Sequence, residues 1–495
     1  MSSSGWFAYA PRSGAAFSGS ARLMTSDGDP DARPHLDRPE LADVGRLVRR
    51  GVRGLVAAAR AGEGPSLTSD LTDHLGPGSA ELVVVEEAWP GYEHVNVQAG
   101  LDAWLAGGTA DVRLVGIAGF QHRPFGLGDL LTQQAHDPFG PRPGNVARVN
   151  VPCGPDGEVR PCVRCALYLV TDGPVRTVLL LRGPEPESGQ AQVTLQVVST
   201  DPAQASDAAA AIRAATLDHN VFRGQVLSFN REMFGHGQTL LAFHRRPALT
   251  ADQLILPVAT IEAVRRQVVG VAEHKEALLA AGQHLKRGLL LYGPPGVGKT
   301  HTVRYLTASL TGTTVLQLSG DALHLIGEAC SVARSLAPSM VIIEDVDLIA
   351  EDRGMHPGQH PLLFQLLNEM DGLAEDADVV LVLTTNRADL LEPALAARPG
   401  RVDQAIELAV PDALGRRALV ELYRGGLTLP ETALDDVVQR TEGVTASFIK
   451  ELLRRAALVA ADHLPDVTAA DLGAALDELL DTRSAMTRTL LGGIG

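Results

Sequence analysis

Gly288-Leu-Leu-Leu-Tyr292 runs directly into Gly293-Pro294-Pro295-Gly296-Val297-Gly298-Lys299-Thr300, and His301 opens a helical pattern over 301–310. The first piece is an apolar run of strand length, and the second fits G-x-x-x-x-G-K-[ST]. A strand that turns through glycines into a helix presents successive backbone N–H groups at the helix's positive end, which suits phosphate oxygens. A compact ammonium at Lys299 reaches the β- and γ-oxygens, and the Thr300 hydroxyl suits Mg2+. A flat guanidinium does not fill the ammonium's place inside such a loop. That contrast matters in this chain: its only lysines are Lys275, Lys286, Lys299 and Lys450, against 39 arginines.

Working outward, Val341-Ile-Ile-Glu344-Asp345-Val-Asp347 pairs a short apolar strand with carboxylates at its C-terminal end. Ligands bind at that end of open α/β sheets. Acidic groups there can hold Mg2+ through water and polarise an attacking water. A further strand over 379–384 leads to Thr384-Thr385-Asn386, which brings an amide beside the carboxylates. Arg398 and Arg401 follow, three apart.

The bulk numbers agree with such a site. A chain of 495 residues suggests two to four domains. It is 45% apolar and 21% charged, an ordinary globular composition. The formal charge of −16 is the wrong sign for a protein living mainly on phosphate backbones, and only 4% of residues are aromatic. No stretch reaches the roughly 18 to 20 apolar residues of a membrane span, and the start lacks a signal-peptide core. Four cysteines do not make a disulfide framework. A cytoplasmic, soluble protein is expected. Cys162 and Cys165 have metal-like spacing, with Cys153 nearby, but no second pair follows, and ordinary thiols are the better expectation.

The chain divides as follows. Residues 1–40 are polar and rich in Gly, Ser and Pro, and read as a flexible tail, with Met24 an alternative start. Residues 41–247 read as a mixed α/β domain. A helical piece is expected over 41–76, a strand at 81–87, a helix over 94–105, β segments at 163–171, 175–182 and 191–199, and a helix over 203–218. Residues 255–411 alternate strands and helices, as a parallel sheet with crossover helices does, and 412–483 is helical. A short tail spans 484–495.

Together these elements resemble the AAA family of the AAA+ superfamily, in the branch with Cdc48-type unfoldases, proteasomal ATPases and the ATPase part of membrane proteases. The resemblance covers roughly 255–483. It implies a P-loop α/β core with a helical lid, a homo-hexameric ring, ATP and Mg2+ at subunit junctions, and hydrolysis coupled to remodelling of protein partners. By that likeness Glu344 takes the magnesium-water position, Asp345 the base, and Asn386 the polar residue of the sensor strand. Arg398 and Arg401 match the arginine fingers. Val269-Gly270 lies where the adenine loop is expected, and Gly443-Val-Thr-Ala-Ser447 resembles a turn of the lid. Leu325-Ile326-Gly327 matches the pore loop, with Leu where the family carries an aromatic.

Two departures accompany the likeness. The acids stand as Glu-Asp rather than Asp-Glu, an order also found in Bcs1-type members, and the C-terminus lacks the hydrophobic-Tyr-X ending of proteasomal ATPases. The region 41–247 is then expected to select a protein substrate or adaptor. A nucleotide-gated assembly module with slow hydrolysis is the alternative reading, and nucleic-acid remodelling a more distant one.

Overall fold

The computed structural model describes residues 66–480, apart from 121–124, 133–140, 186–188, 232–238, 348–364, 388–401 and a few positions between 367 and 376. Both expected tails, the helical piece before residue 66, and Arg398 and Arg401 lie outside the described residues.

The first half is a layered α/β unit. Helix α1 (Leu67–Leu75) starts at Ser66, whose hydroxyl accepts from the Ser69 N–H at 3.1 Å and so satisfies one orphan donor. The strand expected at 81–87 begins later. Ser79–Glu81 close into a 3-10 turn behind Gly78, and β1 runs Val85–Pro90. Helix α2 (His94–Gly107), β2 (Asp111–Ala118), α3 (Leu127–Thr132), β3 (Arg142–Gly144) and β4 (Ala147–Pro152) follow. Next come β5 (Val159–Asp172), β6 (Val175–Arg182), β7 (Gln192–Ser199) and α4 (Pro202–Asp218). The strands pair antiparallel in the order β1-β7-β6-β5-β2-β3, with β4 also on β5.

Alternation along β5 and β6 feeds two cores. Leu167, Leu169, Val178 and Leu180 pack with residues of α1 and α3. Ala166, Tyr168, Leu179 and Leu181 pack with residues of α2 and α4. The two helices touch at Gly100, where an added Cβ would lie 2.5 Å from the Thr216 backbone nitrogen. Only glycine admits that approach.

The second half carries the parallel sheet expected from the alternating pattern. Its strands are β10 (Arg287–Tyr292), β11 (Thr314–Leu318), β12 (Ser339–Ile343), β13 (Val379–Thr385) and β14 (Gln404–Glu407). They run parallel in the order β14-β10-β13-β12-β11. The nearly continuous burial of β10, β11, β12 and β13 explains their Leu, Val and Ile runs. Helix α5 (Val258–Arg265) and helix α6 (Lys275–Ala280) precede the sheet. Helix α7 (Lys299–Ser309) follows β10, and α8 (Ile326–Ser335) links β11 to β12.

This sheet is wider than the sequence suggested. Strand β8 (Val226–Arg231) pairs parallel to β11, and β9 (Thr239–His244) pairs antiparallel to β8. No strand was expected at either place, and these residues, assigned to 41–247, extend the sheet of the second half. Phe222, Leu227 and Phe229 share one buried cluster with Val95 and Cys162 of the first half and with Ile326 and Cys330 of α8. Tyr92 meets Phe229 edge-on at 6.0 Å. Arg246 clamps the end of α7, donating from Nη1 to the carbonyls of Thr307 and Leu310 and from Nη2 to those of Gly224 and Thr313.

Helices α9 (Ala413–Tyr423), α10 (Glu431–Arg440), α11 (Ala446–Val459) and α12 (Ala469–Leu480) complete the described chain around Phe448, Ile449 and Leu452.

Candidate functional site

The loop after β10 is built from backbone that side chains would spoil. Gly293 has φ 146°, and a Cβ there would lie 2.2 Å from the Leu408 carbonyl oxygen. Gly296 has φ 82°, and its Cβ would lie 2.9 Å from the Thr445 hydroxyl. Gly298, at φ 109°, faces open space at the start of α7. Val297 is buried among the apolar residues beneath the sheet and anchors the loop. Pro294 and Pro295 are exposed at its tip.

Lys299 folds back into this loop and is only 7% exposed. Its Nζ donates to the Gly293 carbonyl at 2.8 Å, the Pro294 carbonyl at 2.9 Å and Asn386 Oδ1 at 2.8 Å. Burial pulls the ammonium below its ordinary pKa, and the charges of Asp345 and Asp347 oppose that shift. Thr300 is exposed beside the Glu344 carboxylate and favours its charged form. Burial pushes the Glu344 carboxyl up, and the neighbouring Asp345 charge adds to it. Thr300 and Arg304 pull the other way. A hydroxyl beside a carboxylate that is crowded by a second acid is a hard-oxygen donor set suited to Mg2+.

The acids sit on a turn stitched to the end of β13. Asp345 has φ 52°, a left-handed conformation uncommon outside glycine. Its N–H donates to Thr384 Oγ1 at 3.1 Å, and the Val346 N–H donates to the Thr384 carbonyl at 2.9 Å. Asn386 Nδ2 donates to Asp345 Oδ1 at 3.3 Å. Three residues 41 to 87 positions apart in the chain thus form one line from Lys299 through Asn386 to Asp345.

The remaining residues fall at different places. Ser447, at the start of α11, meets the Gly296 carbonyl from its N–H at 3.1 Å and its hydroxyl at 3.3 Å, so the helical lid touches the loop directly. His301 Nε2 pairs with the Gln253 carbonyl at 3.0 Å and is spoken for by structure. Val269 and Gly270 belong to a π-helical turn, Arg266–Gly270, in which Val269 is buried in the core and Gly270 is half-buried.

Leu325, Ile326 and Gly327 correct the expectation of a gripping loop. Leu325 ends a 3-10 turn and Ile326 opens α8, with exposures of 6% and 0%. Both lie in the apolar cluster shared with Phe222 and Phe229, and a Cβ on Gly327 would meet Gln365 Nε2 at 2.8 Å. Their apolarity is spent on packing. Cys162 and Cys165 enter different cores, and burial pushes each thiol up to about 12. Among the described residues, no group of three His, Cys, Asp or Glu side chains is placed to hold a metal.

Sequence reasoning missed two contributors. Asp347 was quoted but given no task, although its Oδ1 accepts from the Thr385 hydroxyl at 2.9 Å and from the Asn386 N–H at 3.3 Å. Thr384 was seen only as the end of a strand, and its hydroxyl and carbonyl hold the acidic turn. An acid two residues beyond a paired acid, facing a Thr-Thr strand end, was the available signal.

A parallel sheet with a phosphate-type loop at its C-terminal edge, acids on the adjoining turn and a lid on the loop is the arrangement of a P-loop nucleoside-triphosphatase. Residues 289–410 match the ATPase family associated with various cellular activities (AAA). Residues 289–410 are therefore similar to an AAA domain.

Relatives point the same way. The ATP-dependent zinc metalloprotease FtsH 2 of Sphaerobacter thermophilus is 35% identical over 239 residues, covering 45% of this chain and 36% of that protein. FtsH 3 of Symbiobacterium thermophilum is 33% identical over 285 residues, 54% of this chain and 43% of the relative. FtsH of Bacillus subtilis is 32% identical over 254 residues, 46% and 40% of the two chains. The chain thus spans less than half the length of these relatives.

Proposed function

We propose that this chain binds ATP in the 293–300 loop, hydrolyses it, and couples the cycle to remodelling of protein partners. The observation that carries this reading is the convergence of Lys299, Thr300, Glu344, Asp345 and Asn386 at one sheet edge. In it, the loop N–H groups and Lys299 hold the phosphates. Thr300 and Glu344 would hold Mg2+, largely through water, and the metal would supply charge neutralisation on the phosphate oxygens. Asp345 takes a proton from the attacking water, and Asn386 orients that water and the γ-phosphate. Arg398 and Arg401 of a neighbouring subunit would complete the site in a homo-hexamer. Val269 and Gly270 flank the base.

The seven-stranded antiparallel sheet of the first half is the proposed substrate or adaptor platform, and the cytoplasm the proposed setting. Among the described residues no helix is long and apolar enough to cross a membrane. The relatives' names include a zinc protease, but no histidine in this sequence is followed by glutamate, so the H-E-x-x-H signature is absent from it.

The test is ATP turnover and nucleotide binding by wild type and Lys299→Ala. Turnover by wild type and its loss in the variant support the reading; bound ATP with no turnover under hexamer-forming conditions overturns it. One observation favours the alternative of a slow, nucleotide-gated assembly module: the base position holds Asp345, a methylene shorter than Glu, on a left-handed turn. That reading expects ATP-dependent oligomers with equal, negligible turnover in wild type and Asp345→Asn.

A further inference from the structure

We propose that Asp347 is a positioning residue for ATP hydrolysis, acting through Asn386; this rests on the hydrolase reading above. Asp347 is 7% exposed. Burying a carboxylate is costly unless its oxygens are hydrogen-bonded. Here one oxygen, Oδ1, accepts from both the Thr385 hydroxyl and the Asn386 N–H, at 2.9 and 3.3 Å. Two consecutive residues at the end of β13 are therefore tied to a single atom of the acidic turn.

That tie fixes where β13 ends and where Asn386 points. The Asn386 amide has two other partners, Lys299 through Oδ1 and Asp345 through Nδ2, so any swing at residue 386 moves both contacts together. Thr384 closes the same junction from the other side, holding the N–H groups of Asp345 and Val346. Residues 345–347 and 384–386 thus behave as one stitched unit, and Asp347 is its innermost stitch. A displacement of about 1 Å in an orienting group costs on the order of 100-fold in rate, even when the displaced group touches no substrate. Glu344 and Asp345 lie on the loop side of the turn, whereas Asp347 points back into the strand end. Its task is to hold geometry rather than to contact nucleotide.

The experiment compares Asp347→Ala with Asp347→Asn, which keeps an oxygen acceptor in the same place. A crystal structure of Asp347→Ala is expected to show the Asn386 amide withdrawn from Lys299 and Asp345 while 379–383 stay in register. Its kcat is expected to fall at least tenfold with the Kd for ATP changed by less than about threefold, and Asp347→Asn to recover most of the turnover. The proposal is overturned if Asn386 keeps both contacts in Asp347→Ala. It is also overturned if ATP affinity falls as much as turnover, or if Asp347→Asn is no better than Asp347→Ala. Should Asp347→Ala not fold, Thr385→Val removes one of the two ties. It must then lower kcat without weakening ATP binding, and unchanged kcat overturns the proposal. If wild type turns over no ATP, the hydrolase reading falls, while the position of Asn386 in the variant crystal still decides whether Asp347 places it.

Discussion

Lys299 Nζ lies 2.8 Å from Asn386 Oδ1, joining the first turn of α7 to the end of β13. The same amide reaches Asp345, so the ammonium and the shorter acid are held at fixed separation through one side chain. Asn386→Ala removes this spacer and leaves the loop intact. Its kcat for ATP hydrolysis should fall roughly 10- to 100-fold. Its nucleotide Kd, read by titration of a fluorescent ATP analogue, should move by less than about threefold.

Lys299→Arg tests whether charge alone suffices. The ammonium occupies a buried slot between two backbone carbonyls and an amide, a geometry that a planar fork does not reproduce. Turnover should drop by roughly 100-fold or more. Steady-state kinetics at saturating ATP would measure it.

The two acids should separate by role. Asp345→Asn retains ATP binding and loses turnover by on the order of 100-fold, as removal of a general base does. Glu344→Gln instead raises the Mg2+ concentration needed for half-maximal turnover, because it removes a carboxylate proposed to hold the metal. Burial and the Asp345 charge disfavour the Glu344 carboxylate, a bound cation offsets both, and a neutral amide attracts that cation less. Magnesium titrations of ATPase activity in the two variants would distinguish them.

Glu93 sets a pH dependence of stability remote from the site. Burial raises its carboxyl pKa, and the bond from Asn96 Nδ2 at 2.7 Å only partly opposes this. The folded state therefore binds the proton more tightly than the unfolded chain does. Glu93 contributes no penalty below its unfolded pKa, and its penalty grows as pH rises through the folded value. Glu93→Gln should accordingly be more stable than wild type near pH 8 and lose that advantage near pH 4. Chemical denaturation midpoints at the two values would show it.

Gly100→Ala places a methyl 2.5 Å from the Thr216 backbone nitrogen. Backbone cannot swing aside as a side chain can, so α2 and α4 must separate. The expected cost is about 1 to 3 kcal/mol, read as a lowered thermal midpoint, with nucleotide affinity unchanged.

How much was legible in the sequence followed from how local each feature is. The 288–300 stretch is contiguous, and its chemistry needs a strand, a turn and a helix in immediate succession. Periodicity and glycine placement therefore announced it. The Glu344-Asp345 pair was legible for the same reason, as an apolar run ending in acids. Helices 94–105 and 203–218 were readable from composition and spacing, and the structure has them as α2 and α4. The strand expected at 81–87 starts only at Val85, since the 3-10 turn after Gly78 takes Glu81 and residues 82–84 stay irregular.

What the amino-acid sequence determined by itself is the phosphate-type loop, the acids that face it and the alternation that makes a parallel sheet. Each is written in residues within one or two elements of each other. Only the tertiary structure decided the partners that come from far along the chain. It drew β8 and β9 into the second sheet and turned Leu325 and Ile326 inward under Phe222 and Phe229. It parted Cys162 from Cys165, set Ser447 on Gly296, and made Asp347 a support for Asn386. Burial and register are properties of packed neighbours. An apolar residue reads the same in sequence whether it grips a partner or fills a core, and the fold alone gives Leu325 and Ile326 the second task.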